Sequence, residues 1–568
     1  MADLRLVESD SPTGVLNRDP ISVLEHQPFA PSSTGHSITE LHAAAAPGEM
    51  ASLSFSLQAA DSAVELTLQA SDAMNGSAAV PIELYVVHTW EQAGIGLYQS
   101  AAQLVAELLL KDDRQPLRDS YRPGCGHRRH FYRRAPHYQP PDIRLRGEVC
   151  TTLQAGQRKQ FWVSAKVPGD ASPGVYLSTI SISALTPESR IVRQLPLRLE
   201  ILPIRLAEPA QDLFLWYKGT LDCRHPQHYV PEHILRAQLQ DIYDHGFTSV
   251  SLIEASPEYL QPAIDIANAI GFRRNLLLEG PFHQGYRKLS FGKLQPIYYL
   301  SDKLDIPRYV HSTRHHFRNW RLARAAGAAS MSSLISQQFA RRLLDNRDIG
   351  HAPSIFSFYL PTNLDYFRAF AAFPELRNYT TYYYWKCHME KANLHRVLAG
   401  VFLWKSKADG IAPYCYQHRP KFPNSAFNDF DEWEPGYFFG SEQRPFKDHM
   451  STYPAAEGSI PTAQWKGLSA GLFDLRYLAT LEAALQTASK SGGGPLLRAA
   501  DEIRREVDRF LSRINLRTIA ILDEHEAEPY ADIQPEEYAR FRALVAHALV
   551  DLQQHMEEVH LSEAVSQA

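Results

Sequence analysis

The chain has 568 residues, of which 44% are hydrophobic and 21% are charged. This length exceeds what one hydrophobic core supports, so we expect two or three domains. The composition is typical of globular proteins and argues against disorder. The formal net charge of -5 gives no reason to expect a nucleic-acid partner.

The N-terminus and the cysteines bear on the cellular compartment. Residues 1–5 lack the basic and apolar regions of a signal peptide, and no apolar run reaches membrane-spanning length. The five cysteines are far apart and form no C-x-x-C motif, which predicts reduced thiols rather than a disulfide framework. We therefore expect a soluble, cytoplasmic protein with no membrane partner, or a secreted one if the N-terminus is misassigned.

Residues 1–46 predict an irregular lead-in with a strand or two, because they are rich in proline, serine and histidine. Beyond residue 47, apolar and polar residues alternate with a period of two, which is typical of strands with one buried face. The runs that carry this pattern are 51–57, 64–68, 81–87, 160–168, 174–182 and 195–201. They predict a β-sandwich domain over 47–205, which ends at a Pro-rich joint.

A basic insertion interrupts the sandwich at residues 121–134. It contains Cys125, His127 and His130, which suggest a metal or phosphate site. No fourth ligand stands at a usual spacing, so we interpret the insertion as a solvated loop and expect no metal ion and no cofactor.

From residue 210 to 490 the pattern changes to strand followed by helix, which predicts parallel strands joined by helical crossovers. The predicted strands are 213–217, 249–253, 275–278, 296–301, 328–334, 354–360, 380–385 and 410–416. Eight such units predict a (β/α)8 TIM-like barrel, so the fold class is α/β. A C-terminal helical segment over 495–568 carries an amphipathic stripe that fits barrel packing or a dimer contact, and the oligomeric state stays open.

Charged residues follow three of the predicted barrel strands, at the end where such barrels hold their active sites. Glu254 and Glu279 close the second and third strands, and Asp302 and Lys303 follow the fourth. For each carboxylate, a helix cap or an ion pair with a neighbouring cation is the alternative interpretation. Lys303 has its own alternative, an ion pair with Asp302 or Asp305.

Aromatic residues provide candidates for a sugar-binding platform, because flat rings stack on the C–H faces of sugars. The candidates are Trp216, Tyr217, Tyr299, Tyr384, Trp385, Tyr414, Tyr416 and Trp433. Position near strand ends favours Tyr384, Trp385 and Tyr416, whereas core packing is the alternative for the others. Trp433 belongs to the acidic run 429–434, which fits either a solvated loop or a cleft loop.

Several segments together resemble glycoside hydrolase family 123. Residues 161–168, followed by Pro173-Gly174-Val175-Tyr176, resemble the sandwich domain of proteins similar to that family. Residues 239–247, 400–414 and 460–478 resemble parts of its barrel, and the last segment, which begins Ile460-Pro461-Thr462, is the most specific. The resemblance covers roughly residues 47–485.

The resemblance implies β-N-acetylgalactosaminidase chemistry with an adjacent Asp and Glu at the end of a barrel strand. The Glu is the general acid/base, and the Asp orients the 2-acetamido group, which is itself the nucleophile. The matching position reads Asp302-Lys303. A lysine with its ordinary pKa of about 10.4 is a poor proton donor near neutrality. Lys466, Ser469 and Ala470 also replace charged residues that are usual in relatives.

Two hypotheses follow for a protein whose partner is a carbohydrate. The first is a glycosidase whose proton donor has moved, with Glu254 and Glu279 as candidates. The second is a catalytically inactive barrel that binds a glycan or a partner protein. A separation of roughly 5 to 10 Å between Asp302 and one of these glutamates favours the hydrolase. An ion pair between Lys303 and Asp302 that plugs the barrel mouth argues against it.

Overall fold

The protein is represented by a computed structural model, which describes residues 20–29, 35–92, 103–114, 142–225, 228–253, 256–279, 284–301, 313–325, 328–334, 354–359, 379–385, 391–417, 450–490, 494–516 and 533–567. The chain divides into two compact units. The first comprises Met1–His88, Leu108–Pro116 and Arg144–Arg205, and the second comprises Thr89–Glu107, Leu117–Ile143 and Leu206–Ala568.

The N-terminal strands form two sheets of a β-sandwich-like arrangement. They are β1 (Ile21–Glu25), β2 (Leu41–Ala45), β3 (Met50–Ala59), β4 (Val64–Ala70), β5 (Ala73–Asn75), β6 (Ala78–Val80), β7 (Ile82–Gln92), β8 (Gln103–Leu110), β9 (Val149–Leu153), β10 (Arg158–Lys166), β11 (Gly174–Leu185) and β12 (Arg190–Ile201). One sheet has the order β1-β3-β10-β7-β8. The other has the order β2-β12-β11-β4-β9, with β5 beside β11 and β6 beside β5.

The predicted period of two is confirmed in these sheets. In β12, Leu195, Leu197, Leu199 and Ile201 are buried, and the residues between them are exposed. One face of the strand therefore packs on apolar side chains while the other meets solvent. Two strands lie within the predicted lead-in: β1 belongs to the first sheet and β2 to the second.

Eight parallel strands close into a barrel, as predicted. They are β13 (Asp212–Leu215), β14 (Ser249–Ile253), β15 (Asn275–Glu279), β16 (Gln295–Ser301), β17 (Ala329–Leu334), β18 (Ile355–Tyr359), β19 (Thr380–Tyr384) and β20 (Gly410–Ile411). Each strand pairs with the next along the chain, and β20 pairs with β13 to close the barrel.

Helices follow several of these strands. They are α1 (Glu232–Asp244), α2 (Pro257–Ile270), a 3-10 helix (Gln284–Lys288), α3 (Thr313–Ala325), α4 (Ala392–Ala399) and α5 (Val401–Ser406). One face of α1 is apolar and packs inward, since Leu235, Leu239 and Ile242 are buried. Gly246 follows α1 with a φ of 97°, a left-handed conformation that glycine adopts at little cost and that ends the helix.

The C-terminal part begins with a hairpin and continues with long helices. The elements are β21 (Thr452–Ala455), β22 (Gly458–Pro461), α6 (Ala463–Lys490), α7 (Gly494–Ser512) and α8 (Pro535–Gln567). Helix α6 packs closely on α4, since a Cβ atom at Gly467 would lie 2.1 Å from the carbonyl oxygen of Ala392. Within the ranges given above, no helix combines the length and apolar character needed to cross a membrane.

Candidate functional site

The barrel interior is filled by alternate residues of its strands. The buried cluster there comprises Phe214, Trp216, Leu277, Ile297, Tyr299, Met331, Ile355, Tyr382, Tyr384, Ala412 and Cys415, with Tyr414 packed against it. Because the strands are parallel, their carboxyl ends lie at one end of the barrel, which we call the mouth. The last inward-facing residue of each strand therefore lines this mouth.

Glu279 is the last residue of β15, and its side chain faces the barrel interior. In the strand register, Leu277 pairs with Ile297 and Glu279 pairs with Tyr299. Paired residues of neighbouring parallel strands lie on the same face of a sheet. Since Leu277, Ile297 and Tyr299 belong to the interior cluster, Glu279 points inward with them. Its side chain is 31% exposed, so it meets both the protein and the solvent at the mouth.

Lys218 lies against Glu279. It follows β13 after Trp216 and Tyr217, and its Nζ donates a hydrogen bond to Glu279 Oε2 at 2.5 Å. The residue is only 8% exposed. Its ammonium also lies 5.3 Å from the ring centroid of Trp216 and 5.2 Å from that of Tyr414. The charge of Lys218 is thus balanced by a carboxylate and by the electron-rich faces of two aromatic rings.

Aromatic rings surround this ion pair. Trp216 contacts Tyr299 edge to face, with ring centroids 4.7 Å apart, and Tyr414 at 6.0 Å. A hydrogen bond of 2.7 Å joins the hydroxyl groups of Tyr299 and Ser333, which orients the Tyr299 ring. The mouth therefore combines a carboxylate, an ammonium and flat apolar surfaces, the groups that commonly bind polar ring compounds.

A second ion pair fixes the loop that carries Lys218. Arg224 donates from Nε and Nη2 to the two carboxylate oxygens of Asp222, at 2.8 and 2.6 Å. Arg224 Nη2 also donates to Ser256 Oγ at 2.8 Å, just before α2. The hydrogen bonds from Arg224 hold the pKa of Asp222 below its usual range. This loop is thereby tied to the start of α2.

The predicted aromatic residues fall into two groups. Tyr299, Tyr384 and Tyr414 lie in or against the interior cluster. Trp385 is fully buried elsewhere, and its Nε1 donates to His395 Nδ1 at 2.9 Å. Tyr416 is also fully buried, and its hydroxyl donates to Asp241 Oδ2 at 2.8 Å. Neither of the last two rings shares the cluster that lines the mouth.

Several predicted residues lie outside the described ranges. These are Glu254, Asp302, Lys303 and Trp433, together with the basic insertion at 121–134. The predicted distance from Asp302 to a strand-end glutamate, and the predicted Lys303–Asp302 pair, therefore stay predictions. The strand that leads to Asp302 is described as far as Ser301, and its pairing with β17 shifts register between Tyr299 and Ser301.

A largely buried polar network of Asp241, His245 and Lys466 lies next to Tyr416. His245 Nδ1 lies 3.1 Å from Asp241 Oδ1, and Lys466 Nζ donates to His245 Nε2 at 3.0 Å. Burial by itself raises the pKa of Asp241, but His245 and Lys466 outweigh it and hold the pKa below the usual range. Because Tyr416 donates to the same carboxylate, the network fixes the segment that continues from Tyr414.

Sequence reasoning missed Lys218 and the Asp222–Arg224 pair. Lys218 lies just beyond the first barrel strand, whereas Glu279 is the last residue of the third, so the same strand-end rule indicates Lys218 once cations are considered with carboxylates. Among the residues that the structure describes, no group of three or more His, Cys, Asp or Glu side chains is placed to hold a metal ion.

Comparison with known proteins gives a likeness of fold. No protein-family model matches the chain, and no curated protein sequence matches it. Among solved structures, a family 123 glycoside hydrolase from Clostridium perfringens, studied for the hydrolysis of glycolipid glycans, superposes with a TM-score of 0.59 at 10% identity. The match covers 94% of this chain and 99% of that one. The two proteins share a fold.

Two further matches are too distant to carry an argument. A β-glucuronidase from Bacteroides uniformis has a TM-score of 0.30 at 9% identity, covering 76% of this chain and 51% of that one. A β-glucuronidase from Parabacteroides merdae has a TM-score of 0.26 at 10% identity, covering 67% and 48%. Since identity to the family 123 enzyme is also low, that likeness indicates the architecture and leaves activity to be argued from the site.

Proposed function

We propose that this chain is a glycoside hydrolase-like protein that acts on glycans at the mouth of a TIM-type (β/α)8 barrel, N-acetylhexosamine-containing glycans among them. The observation that carries the proposal is the inward-facing carboxylate of Glu279, which lies at a strand end beside aromatic rings. In barrels of this type the strand ends at this mouth carry the reacting groups. The fold shared with a family 123 glycoside hydrolase agrees with this assignment.

The proposed chemistry requires two carboxyl groups, one ionised and one able to give a proton. We assign the ionised role to Glu279, because it forms an ion pair with Lys218 in which Nζ lies 2.5 Å from Oε2. The proton donor then comes from another strand end. Glu254 and Asp302 are the candidates, since they directly follow β14 and β16, the two neighbours of β15. Their separation from Glu279 determines whether a water molecule fits between them.

The second candidate function is a catalytically inactive barrel that binds carbohydrate or protein. Two observations favour it. Lys303 stands where the resemblance to family 123 requires the general acid, and one oxygen of Glu279 is engaged by Lys218. A barrel mouth with these features still offers polar groups and rings to a glycan without providing a proton donor.

Hydrolysis of aryl glycosides tests the proposal. The panel contains 4-nitrophenyl hexosides and N-acetylhexosaminides, and the variants are Glu279→Gln and Asp302→Asn. Loss of a reacting carboxylate is expected to reduce the rate by roughly 10²- to 10⁴-fold. The matched control is Glu232→Gln, which breaks an exposed pair with Arg236 on the outer helix α1 and is expected to leave the rate unchanged.

Three results are informative. A rate that falls in Glu279→Gln but not in Glu232→Gln supports the hydrolase. A rate unaffected by both Glu279→Gln and Asp302→Asn means that the reacting groups lie elsewhere. If the wild type cleaves nothing but binds glycans, and Glu279→Gln weakens that binding, the inactive binding module is the better description.

A further inference from the structure

With respect to the residues that the structure describes, the Lys218–Glu279 pair has unused hydrogen-bonding capacity. A lysine ammonium carries three N–H donors, and one of them goes to Glu279 Oε2. The ammonium also faces the rings of Trp216 and Tyr414, with ring centroids 5.3 and 5.2 Å from Nζ. Glu279 Oε1 accepts no hydrogen bond from another described residue. Among the residues that the structure describes, a buried donor and an acceptor without a partner therefore lie side by side at the mouth.

The geometry of this pair restricts what a ligand must offer. A ligand that satisfies both groups needs an acceptor for Lys218 and a donor for Glu279 on atoms about one hydrogen-bond length apart. Two gauche hydroxyl groups on adjacent carbons meet this requirement, since each hydroxyl both donates and accepts. A trans amide such as an acetamido group does not, because its N–H and C=O point in opposite directions.

The charge of the site excludes a further class of ligand. Lys218 and Glu279 balance each other, and the neighbouring Asp222–Arg224 pair is also balanced. A carboxylate or sulfate group offers acceptors alone and would bring its negative charge against Glu279. A neutral ligand is favoured. The half-buried ring of Tyr414 beside the pair gives a flat surface for the apolar face of such a ligand.

We propose that Lys218 and Glu279 together bind a free vicinal diol of a neutral sugar, with one hydroxyl accepting from Lys218 and the other donating to Glu279 Oε1. The inference rests on the proposed glycan site and adds its ligand class. It also assigns the 2-acetamido group of any N-acetylhexosamine to another part of the mouth. Lys218 is thereby a specificity-determining residue.

Binding of small sugars to the full chain tests this inference. Titration calorimetry and saturation-transfer NMR compare methyl β-D-glucopyranoside and methyl β-D-galactopyranoside with their 2-, 3-, 4- and 6-monodeoxy analogues and their uronates. For the wild type, removal of one hydroxyl of the recognised pair should weaken binding roughly tenfold to a hundredfold, the effect of losing a hydrogen bond to a charged group. The uronates should bind more weakly than the neutral sugars.

The decisive variant is Lys218→Met, which keeps an unbranched chain of similar length without the ammonium. It should bind the parent sugar and the analogue that lacks the hydroxyl accepting from Lys218 equally, whereas the analogue that lacks the hydroxyl donating to Glu279 should still bind more weakly. The control is Lys293→Met, an exposed lysine just before β16 at the opposite end of the strand from the mouth, and it should discriminate as the wild type does. If Lys218→Met does not melt like the wild type, Lys218→Met/Glu279→Gln removes both charges and makes the same comparison.

The outcomes separate this inference from the proposed function. Equal binding of all monodeoxy sugars by the wild type, or a Lys218→Met variant that still discriminates at two adjacent hydroxyl positions, overturns the diol assignment. If sugar binding or hydrolysis is then still lost in Glu279→Gln, the glycan site stands without it. A wild type that neither binds nor cleaves any sugar in either panel rejects both.

Discussion

Replacing Asp474 with Asn is expected to loosen the helices that pack around the barrel. Asp474 is a buried residue of α6 that accepts hydrogen bonds from Arg396 Nε at 2.7 Å and Nη2 at 3.1 Å. Arg542 of α8 donates to the same carboxylate. The asparagine has no charge to balance these two largely buried guanidinium groups. Removing one partner from a buried ion pair costs about 3–5 kcal/mol.

The effect is measured on the helices themselves by hydrogen exchange, because the chain has two units and a single global transition would mix them. At about 3 kcal/mol, peptides from α4 and α8 should exchange on the order of 10²-fold faster in Asp474→Asn. The control is Glu506→Gln, which breaks an exposed pair with Arg509 on α7 and should cost about 1 kcal/mol or less. Equal exchange in the two variants would refute the assignment of a buried charge cluster.

The contribution of Asp474 to stability has a defined pH dependence, which appears in the comparison of the wild type with Asp474→Asn. Burial by itself raises the pKa of Asp474, but Arg396 and Arg542 outweigh it and hold the pKa below the usual range. A carboxyl group with a lowered pKa in the folded state contributes stability that is fully present above its unfolded pKa of about 3.9 and is lost as the pH falls through the folded pKa. The difference between wild type and Asp474→Asn should therefore be complete at pH 7 and shrink below about pH 4.

Two further changes test the packing of the barrel. Burial raises the pKa of Asp212, which accepts a hydrogen bond from Tyr382, so its contribution to stability falls as the pH rises from about 3.9 through the raised pKa. Melting temperatures measured from pH 4 to 7 should show this fall in the wild type and not in Asp212→Asn; parallel curves would contradict it. At Gly471 a Cβ would lie 2.3 Å from the carbonyl oxygen of Arg396. Although alanine normally favours a helix, Gly471→Ala should therefore reduce the free energy of unfolding by about 1–3 kcal/mol and lower the melting temperature. Alanine at exposed Gln486 of the same helix is the control, and a Gly471→Ala variant as stable as this control would contradict the close packing.

The barrel could be predicted from the sequence because its strands are local features. All eight appear as short apolar runs with helices between several of them, and each observed strand overlaps the predicted one. The same holds for the alternating strands of the sandwich-like sheets. These elements depend on the spacing of apolar residues within a few positions, which a single sequence displays directly.

The inward or outward direction of strand-end residues could not be predicted in the same way. Tyr384 and Trp385 are adjacent, so their side chains point to opposite faces and only one of them lines the interior. The strand register places Tyr384 inside, whereas Trp385 meets His395. Register is set by pairing with neighbouring strands, which a pattern within one segment does not reveal.

Polar contacts between residues far apart in the sequence could not be predicted either. Lys218 and Glu279 are 61 positions apart, and Tyr416 and Asp241 are 175 apart. Each of these contacts exists because barrel closure brings distant segments together. The sequence therefore indicated a strand-end glutamate and aromatic rings, but not the cation that determines the charge at the mouth.

Lys466 shows how a departure from a family pattern acquires a physical meaning. Lys466 stands where the resemblance to family 123 implies a different charged residue, a departure that counts against the chemistry of that family. In the structure it is buried at the start of α6 and donates to His245, whose other nitrogen contacts Asp241. Its role is thus to complete a buried polar network next to Tyr416, and it does not join the cluster around Glu279. Lys466 therefore bears on packing, whereas any catalysis depends on Glu279, Lys218 and the residues that follow β14 and β16 in the sequence.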